Sequence, residues 1–574
     1  MLQELWTPEG ELLKNNPYLQ PWNVYPRPQM KRDNWLNLNG QWDFTAAGGA
    51  AVLPEDYDLS IRVPFCPEAP LSGIHGHFPE GTNLHYRKNL TLPQGFSRGR
   101  VLLHVGAADQ TADVYLNGKP VGHHQGGYTS FSFDITDLLK EGVNSLEIIC
   151  VDDLTNQSYP YGKQVLPEKR GGMWYTPVSG IWQTVWVESV PETYVQKLNI
   201  ENRGSSVTIS IEPALDGTVT VPELGTFELV DGKVTITPEN PNLWSPENPY
   251  LYDFTLEAGE DKIESYFAIR SLEIKKVGDY PRLCLNGKPY FFHGLLDQGY
   301  WPEGLLTAPA PESFARDILA MKKLGFNTLR KHIKVEPEEF YYQCDRLGMI
   351  VWQDMVNNSD YNFMRDTALP TAGIQTRKDK NLHRDQLHRL SFLMNAAKTV
   401  TQLKNHPSIC CWTIFNEAWG QFDSDETYET FKTWDDTRFI DATSGWFRQN
   451  KSDVDSRHVY FKKVKLTGDG VKPLVLSEFG GKTYKAEGHI FNPEKSYGYG
   501  GCADIADLNR AVAALYMDKI VPCIPKGLCA AIYTQVSDVE DEINGLLTYD
   551  RRVEKLTENT MLPVARALKA AMEG

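Results

Sequence analysis

No stretch of the chain approaches the roughly 18 uninterrupted apolar residues that a membrane-spanning helix needs, so a transmembrane protein is not expected. Basic residues are outnumbered, 58 Lys and Arg against 74 Asp and Glu. The resulting formal charge of −16 argues against nucleic acid or an anionic membrane surface as a partner. Nine cysteines (Cys66, Cys150, Cys284, Cys344, Cys410, Cys411, Cys502, Cys523, Cys529) are scattered and odd in number. They form no CxxC or Cys/His spacing, which speaks against a structural zinc. The opening residues, MLQELWTPEGELLKNNPY, lack the basic region and apolar stretch of a secretory leader. Both observations lead us to expect a cytoplasmic protein. Internal repeats and low-complexity tracts are missing too.

What is present is an ordinary globular composition, 41% hydrophobic and 23% charged, over 574 residues. That length exceeds one core and implies about three or four domains. Residues 1–190 read as short alternating strands broken by turns, such as VLLHVGAAD (Val101–Asp109) and SLEIICVDD (Ser145–Asp153). The Asn117-Gly118 pair inside TADVYLNGKPVGHH predicts a two-residue hairpin, and the whole predicts a jelly-roll β-sandwich. Residues 191–275 continue the alternation in shorter pieces (VTISIEP, GTVTV, KVTITP), the size of an immunoglobulin-like β-sandwich. That region holds no cysteine pair, so packing alone must hold it.

Residues 276–574 change character. ESFARDILAMKKLGF (Glu312–Phe326) carries Phe314, Ile318, Met321 and Leu324 at helical spacing, and NTLRKHI follows as a strand. EPEEFYYQCDRLGM then precedes IVWQDM, and LHRLSFLMNAAKTVTQLKN precedes ICCWTIFNE. Helix–strand alternation predicts a parallel sheet, and the nearly 300 residues suit one (β/α)₈ TIM barrel. Two buried-looking strands end in acids: CCWTIFNEAWG (Cys410–Gly420) presents Asn416-Glu417, and PLVLSEFGG (Pro473–Gly481) presents Glu478. A carboxylate pair at the strand ends of one barrel is the pattern that glycoside hydrolysis requires.

The order of two sandwiches and a barrel, with NHPSICCWTIFNEAWG and LVLSEFGG, resembles glycoside hydrolase family 2. So do WLNLNGQWDF, LHYRKNLTLP, SGIWQTVWVE and NPNLWSPENPYLYDF, in the family's order from end to end. The resemblance implies a retaining exo-glycosidase acting on a terminal sugar, with Glu417 as acid/base and Glu478 as nucleophile. A β-galactosidase-type activity leads by prevalence. The alternatives are α-L-arabinofuranosidase, β-galactofuranosidase, β-glucuronidase and β-mannosidase, and, in another class, a non-catalytic carbohydrate-binding protein. A carbohydrate is the implied partner, and dimers or tetramers of the chain are compatible with the family.

The resemblance also implies sugar-binding roles. Asn416 would bond the 2-hydroxyl and Arg330 would stand beside the nucleophile. His332 lies one position before the family's histidine, where Ile333 stands. Asp354 is either a sugar acceptor or a partner for Arg330. His458 and Tyr460 share one strand face, with core packing as the alternative. Trp419 and Tyr533 are candidate sugar platforms. Departures are equally specific. Gly172 occupies the place of a substrate-touching acid, and QDMVNNSDY (Gln353–Tyr361) has no histidine for the family's magnesium site. No metal and no cofactor are therefore expected. The glucuronidase Asn-x-Lys pair is not evident, and IYTQVSDVEDEINGLLTYDRR offers acids instead.

Overall fold

The computed structural model describes residues 2–49, 51–358, 361–371, 374, 378–460 and 463–574. In the first domain a six-stranded antiparallel sheet packs on a four-stranded one. The larger sheet runs Leu59–Val63, Gly40–Ala47, Asn83–Thr91, Val143–Val151, Thr111–Leu116, Lys119–Gln125 in space. Alternation in Thr111–Leu116 buries Ala112, Val114 and Leu116 against Val101, Leu103 and Val105 of the smaller sheet. Asn117 and Gly118 adopt φ of +53° and +75°, the left-handed pair that joins two adjacent strands in a tight turn.

The second domain packs sheets of three and four strands around Ile209, Val219, Leu256 and Phe267. A buried ion cluster ties it to the first domain. Arg32 donates from Nε and Nη2 to the two oxygens of Asp261 (2.9 and 2.7 Å) and from Nη1 to Glu188 (3.2 Å). Carboxylate geometry of that kind suits the planar guanidinium fork.

The third domain is an eight-stranded parallel barrel, its ladder running in one ring with a seam between the fifth and sixth strands. Its strands are β1 Phe292–Asp297, β2 Thr328–Lys331, β3 Ile350–Asp354, β4 Ile409–Asn416, β5 Phe439–Ser444, β6 Asp455–Val459, β7 Leu474–Gly480 and β8 Leu528–Thr534. Most of these strands are buried at every position, as parallel strands covered on both faces must be, which is why they read as unbroken apolar runs. A hairpin, Leu272–Val277 with Tyr280–Leu285, sets Leu283 and Leu285 beneath Phe292, Trp352 and Ile532. The expected division at residue 275 falls inside this hairpin.

At the opposite mouth the first domain sends a loop onto the barrel. The Tyr161 and Gly162 amides both donate to the carbonyl of Asn357 (3.0 and 3.2 Å). Arg170 spans Glu540 and Asp541 at 3.1 Å each, and the Tyr175 hydroxyl donates to Glu542.

Replacing Arg32 with alanine strands Asp261 without its cation, while Glu188 keeps Arg27. Loss of one partner from a buried pair costs about 3–5 kcal/mol. Denaturant titration should show the unfolding midpoint of the sandwiches moved to lower concentration, with the unfolding free energy reduced by that amount; an unchanged midpoint would mean that the cluster does not join the domains.

Candidate active site

Glu417 stands one residue beyond β4 with φ +47°, and Ala418 follows with φ +65°. Two successive non-glycine residues in the left-handed region cost about 1–3 kcal/mol each and persist where the surroundings enforce them. Here the Glu417 amide donates to Ser444 on β5 (2.9 Å) and the Trp419 amide to Asn416 (2.8 Å). The turn aims the carboxylate over the mouth. Glu478 lies within β7, beside register shifts in β6 and β7 that re-aim side chains locally.

Both acids meet around Arg330, which is fully buried on β2. Its Nε and Nη2 hold the two oxygens of Asp354 at 2.9 Å each. Nη1 reaches Glu478 Oε1 (3.2 Å) and the Ser477 carbonyl (3.1 Å), and Nη2 also donates to Asn416 Oδ1 (2.8 Å). Asp354 is thus Arg330's partner, one of the two readings the sequence allowed. The Tyr460 hydroxyl donates to Glu478 Oε2 (2.6 Å) and meets Thr534 Oγ1 (2.7 Å). His458 sets Nδ1 2.8 Å from Glu417 Oε1 and Nε2 2.8 Å from Ser444 Oγ. A carboxylate oxygen of Glu417, one of Glu478 and a ring nitrogen of His458 all lie within 4.8 Å of one another.

Among the described residues, two donors, Asn416 Nδ2 and Trp419 Nε1, and one ring nitrogen, His332 Nε2, are buried without a hydrogen-bond partner. His332 is oriented by Gln298 (Nδ1 to Oε1, 2.9 Å). Burial, then the charges of Lys163 and Arg330, hold its imidazole well below its ordinary pKa and therefore neutral. Trp419 packs on Trp174 (5.2 Å between centroids) and Tyr361 (5.8 Å).

Tyr533 is not a sugar platform. It is wholly buried against Phe479 and Tyr516, on the helix side of β8, and its hydroxyl accepts from the Lys482 amide (3.0 Å). Its neighbour Thr534 takes the inward position, because successive strand residues face opposite ways. The sequence reading also missed Ser444, Trp446 and Lys163. Ser444 was findable as a polar strand end; Lys163 lies in a loop of another domain with no local signal.

Among the described residues, Glu417, His458 and Glu478 are the one group of His, Cys and acid side chains close enough to share an ion. All three already have chain donors or acceptors. Ser359 and Asp360, in the stretch where the magnesium-binding acid was sought, lie outside the described residues.

Comparison with known proteins places this geometry in context. Residues 276–500 match the family model "Glycosyl hydrolases family 2, TIM barrel domain". Residues 77–165 match "Glycosyl hydrolase 2 galactose-binding domain-like" and residues 189–270 match "Glycosyl hydrolases family 2". A putative beta-glucuronidase of Formosa agariphila is 26% identical over 60% of this chain and 41% of its own length. A beta-galactosidase of Thermoanaerobacter pseudethanolicus is 23% identical over 68% of this chain and 52% of its own length. The chain spans about half the length of the curated relatives it matches. Among solved structures, the beta-D-glucuronidase of Dictyoglomus thermophilum superposes with a TM-score of 0.71 at 19% identity, covering 96% of this chain and 98% of that one. A beta-galacturonidase from Eisenbergiella tayi gives 0.65 at 18%, covering 96% and 99%. At such identities the structures share the fold.

Tyr460→Phe removes the hydroxyl that donates to Glu478 and meets Thr534 Oγ1, and keeps the ring. A hydrogen bond to a carboxylate contributes about 1.5–3 kcal/mol, so turnover of an aryl glycoside should fall about 10- to 100-fold with the melting temperature nearly unchanged. An unaltered rate would remove Tyr460 from the site.

Proposed function

The chain belongs to glycosyl hydrolase family 2, and from that premise we propose that it is a retaining exo-glycosidase. The observation that carries the reading is the spacing of Glu417 and Glu478, whose nearest oxygens lie within 4.8 Å. Retaining enzymes hold their carboxyls about 5–5.5 Å apart, whereas inverting ones leave about 6.5–9.5 Å for a water. Glu478, beside Arg330 and Tyr460, attacks the anomeric carbon as the glycosidic C–O bond breaks, and Glu417 gives its proton to the leaving oxygen. Glu417 then takes a proton from water, whose oxygen displaces Glu478 and releases the sugar. The loop of the first domain covers one side of the mouth, which supports attack at a chain end.

A carbohydrate-binding protein without catalysis has no use for two acids at this distance. Nothing in the pocket singles out galactose, and the relatives' names include both galactosidases and glucuronidases. One observation favours an acidic sugar. Among the described residues four lysines are buried, Lys163, Lys331, Lys334 and Lys555. Lys331 holds Asp297 (2.7 Å), Lys334 holds the Leu306 carbonyl (2.7 Å) and Glu336 (2.9 Å), and Lys555 holds Asp538 (2.6 Å). Lys163 has only the Tyr175 ring, 5.1 Å away, although Glu542, Glu478 and Glu417 all act on it. A desolvated ammonium needs a counter-charge, and a hexuronide carboxylate supplies one. The acids at 540–542 are each already held by groups of the chain. Glu540 and Asp541 are held by Arg170, and Glu542 by Tyr175 and Asn544 (3.0 Å).

Glu478→Ala should abolish turnover of an aryl glycoside, and azide should restore it as a glycosyl azide of inverted configuration. Glu417→Ala should slow poor leaving groups about 10²- to 10⁴-fold while sparing nitrophenolate. Undiminished turnover of the aryl glycoside by Glu478→Ala without azide, or of poor leaving groups by Glu417→Ala, ends the assignment. For the glycone, the nitrophenyl hexuronide should exceed its own methyl ester by at least about 30-fold in kcat/KM, the loss of a buried charge pair. Equal rates on acid and ester would return the glycone to a neutral sugar.

A further inference from the structure

A cavity of about 880 Å³ opens beside the two acids. Glu417 lines it and Glu478 does not. That asymmetry gives it a direction, because the group that protonates the glycosidic oxygen stands on the side of the departing substituent. Its size is near the upper end of small-molecule sites, about 300–1,000 Å³, and enough for a substituent much larger than a hydroxyl or methyl group.

The walls decide what that substituent is. Trp174 arrives from the first domain, Phe363 from beyond β3, Trp446 from beyond β5, Leu466 from beyond β6, and Tyr497 and Tyr499 from beyond β7. Tyr499 stacks on Tyr460, 4.0 Å between centroids and 17° between planes, so the aromatic wall continues to the hydroxyl that holds Glu478. Apart from Glu417, no acid, Asn or Gln lines the cavity among the described residues. Its cations are Arg457, already held on Asp455 (2.9 and 2.7 Å), Lys463 and Lys465, so with the tyrosine hydroxyls the walls hold more donors than acceptors.

We infer that the leaving group is an apolar, ring-bearing alcohol or phenol, a polycyclic aglycone in place of a second sugar. A sugar would bring several hydroxyls whose protons need acceptors, into largely apolar walls where acceptors are few. Each one buried unpaired weakens binding about tenfold. A fused-ring aglycone loses nothing there and gains stacking on the aromatic side chains. The inference rests on the glycosidase reading above, since it takes its direction from Glu417 as the acid.

The test holds the glycone fixed and matches leaving-group acidity, comparing the glycoside of a polycyclic alcohol with the disaccharide and the methyl glycoside. The polycyclic substrate should show a KM at least tenfold below the disaccharide's. In Trp446→Ala and in Leu466→Asn, its advantage in kcat/KM over the methyl glycoside should shrink at least tenfold. Equal KM values, or an advantage unchanged in both variants, would overturn the inference. Quenching of tryptophan fluorescence by a non-hydrolysable polycyclic thioglycoside reads the cavity without turnover. Tight quenching in a protein that hydrolyses no glycoside would sink the glycosidase reading and keep the apolar site. Hydrolysis of glycosides with no quenching would do the reverse.

Discussion

A single guanidinium sets the geometry of the pocket. Arg330 has no solvent, so each of its hydrogens must find an acceptor in the chain, and those acceptors come from the ends of β3, β4 and β7. Burying such a charge is not an efficient way to gain stability, because desolvation offsets most of the attraction. What it gains is position. The planar fork fixes Asp354 at two points, which fixes the plane, which in turn places Asn416 and Glu478 at set angles around it. A lysine would keep the charge and lose the angles. The spacing of the two acids thus depends on a residue that need not touch a substrate.

The pocket belongs to two domains. The barrel supplies both acids and their orienting groups, as strand ends of one closed sheet can. The first sandwich supplies Lys163 and Trp174 on a loop anchored at both sides of the mouth, at Asn357 and at Glu540, Asp541 and Glu542. Those three acids have a structural occupation: they receive the loop. Displacing the loop would expose a row of carboxylates, remove an aromatic wall and open the pocket to water in one step.

Much of this was legible in the chain, for physical reasons. Parallel strands buried on both faces read as apolar runs, so β2, β3 and β4 stood out between helices of period 3.6. Acids ending such runs are conspicuous because apolar strands have few other polar residues, and Glu417 and Glu478 were visible for that reason. Asn117-Gly118 fixed its turn through a backbone conformation few other pairs adopt. Tyr533 shows the opposite case. An all-apolar strand carries no alternation, so which of Tyr533 and Thr534 faces inward cannot be read from it, and a one-residue error reverses every side chain. Lys163 was invisible for a different reason. Its meaning lies in what does not surround it, and that exists only once the loop is folded over the barrel.

Glu417 and Glu478 also differ in what surrounds them, although they are the same residue type. Glu478 is enclosed by Arg330, Tyr460 and β7 itself, and both of its oxygens accept hydrogen bonds. Glu417 projects from a strained turn toward an aromatic cavity, touching His458 and little else that is charged. A nucleophile needs a fixed, ionised oxygen, and an acid needs to exchange a proton with a group that enters and leaves. The enclosed carboxylate suits the first task and the projecting one the second. That difference in surroundings supports the proposed roles independently of the relatives.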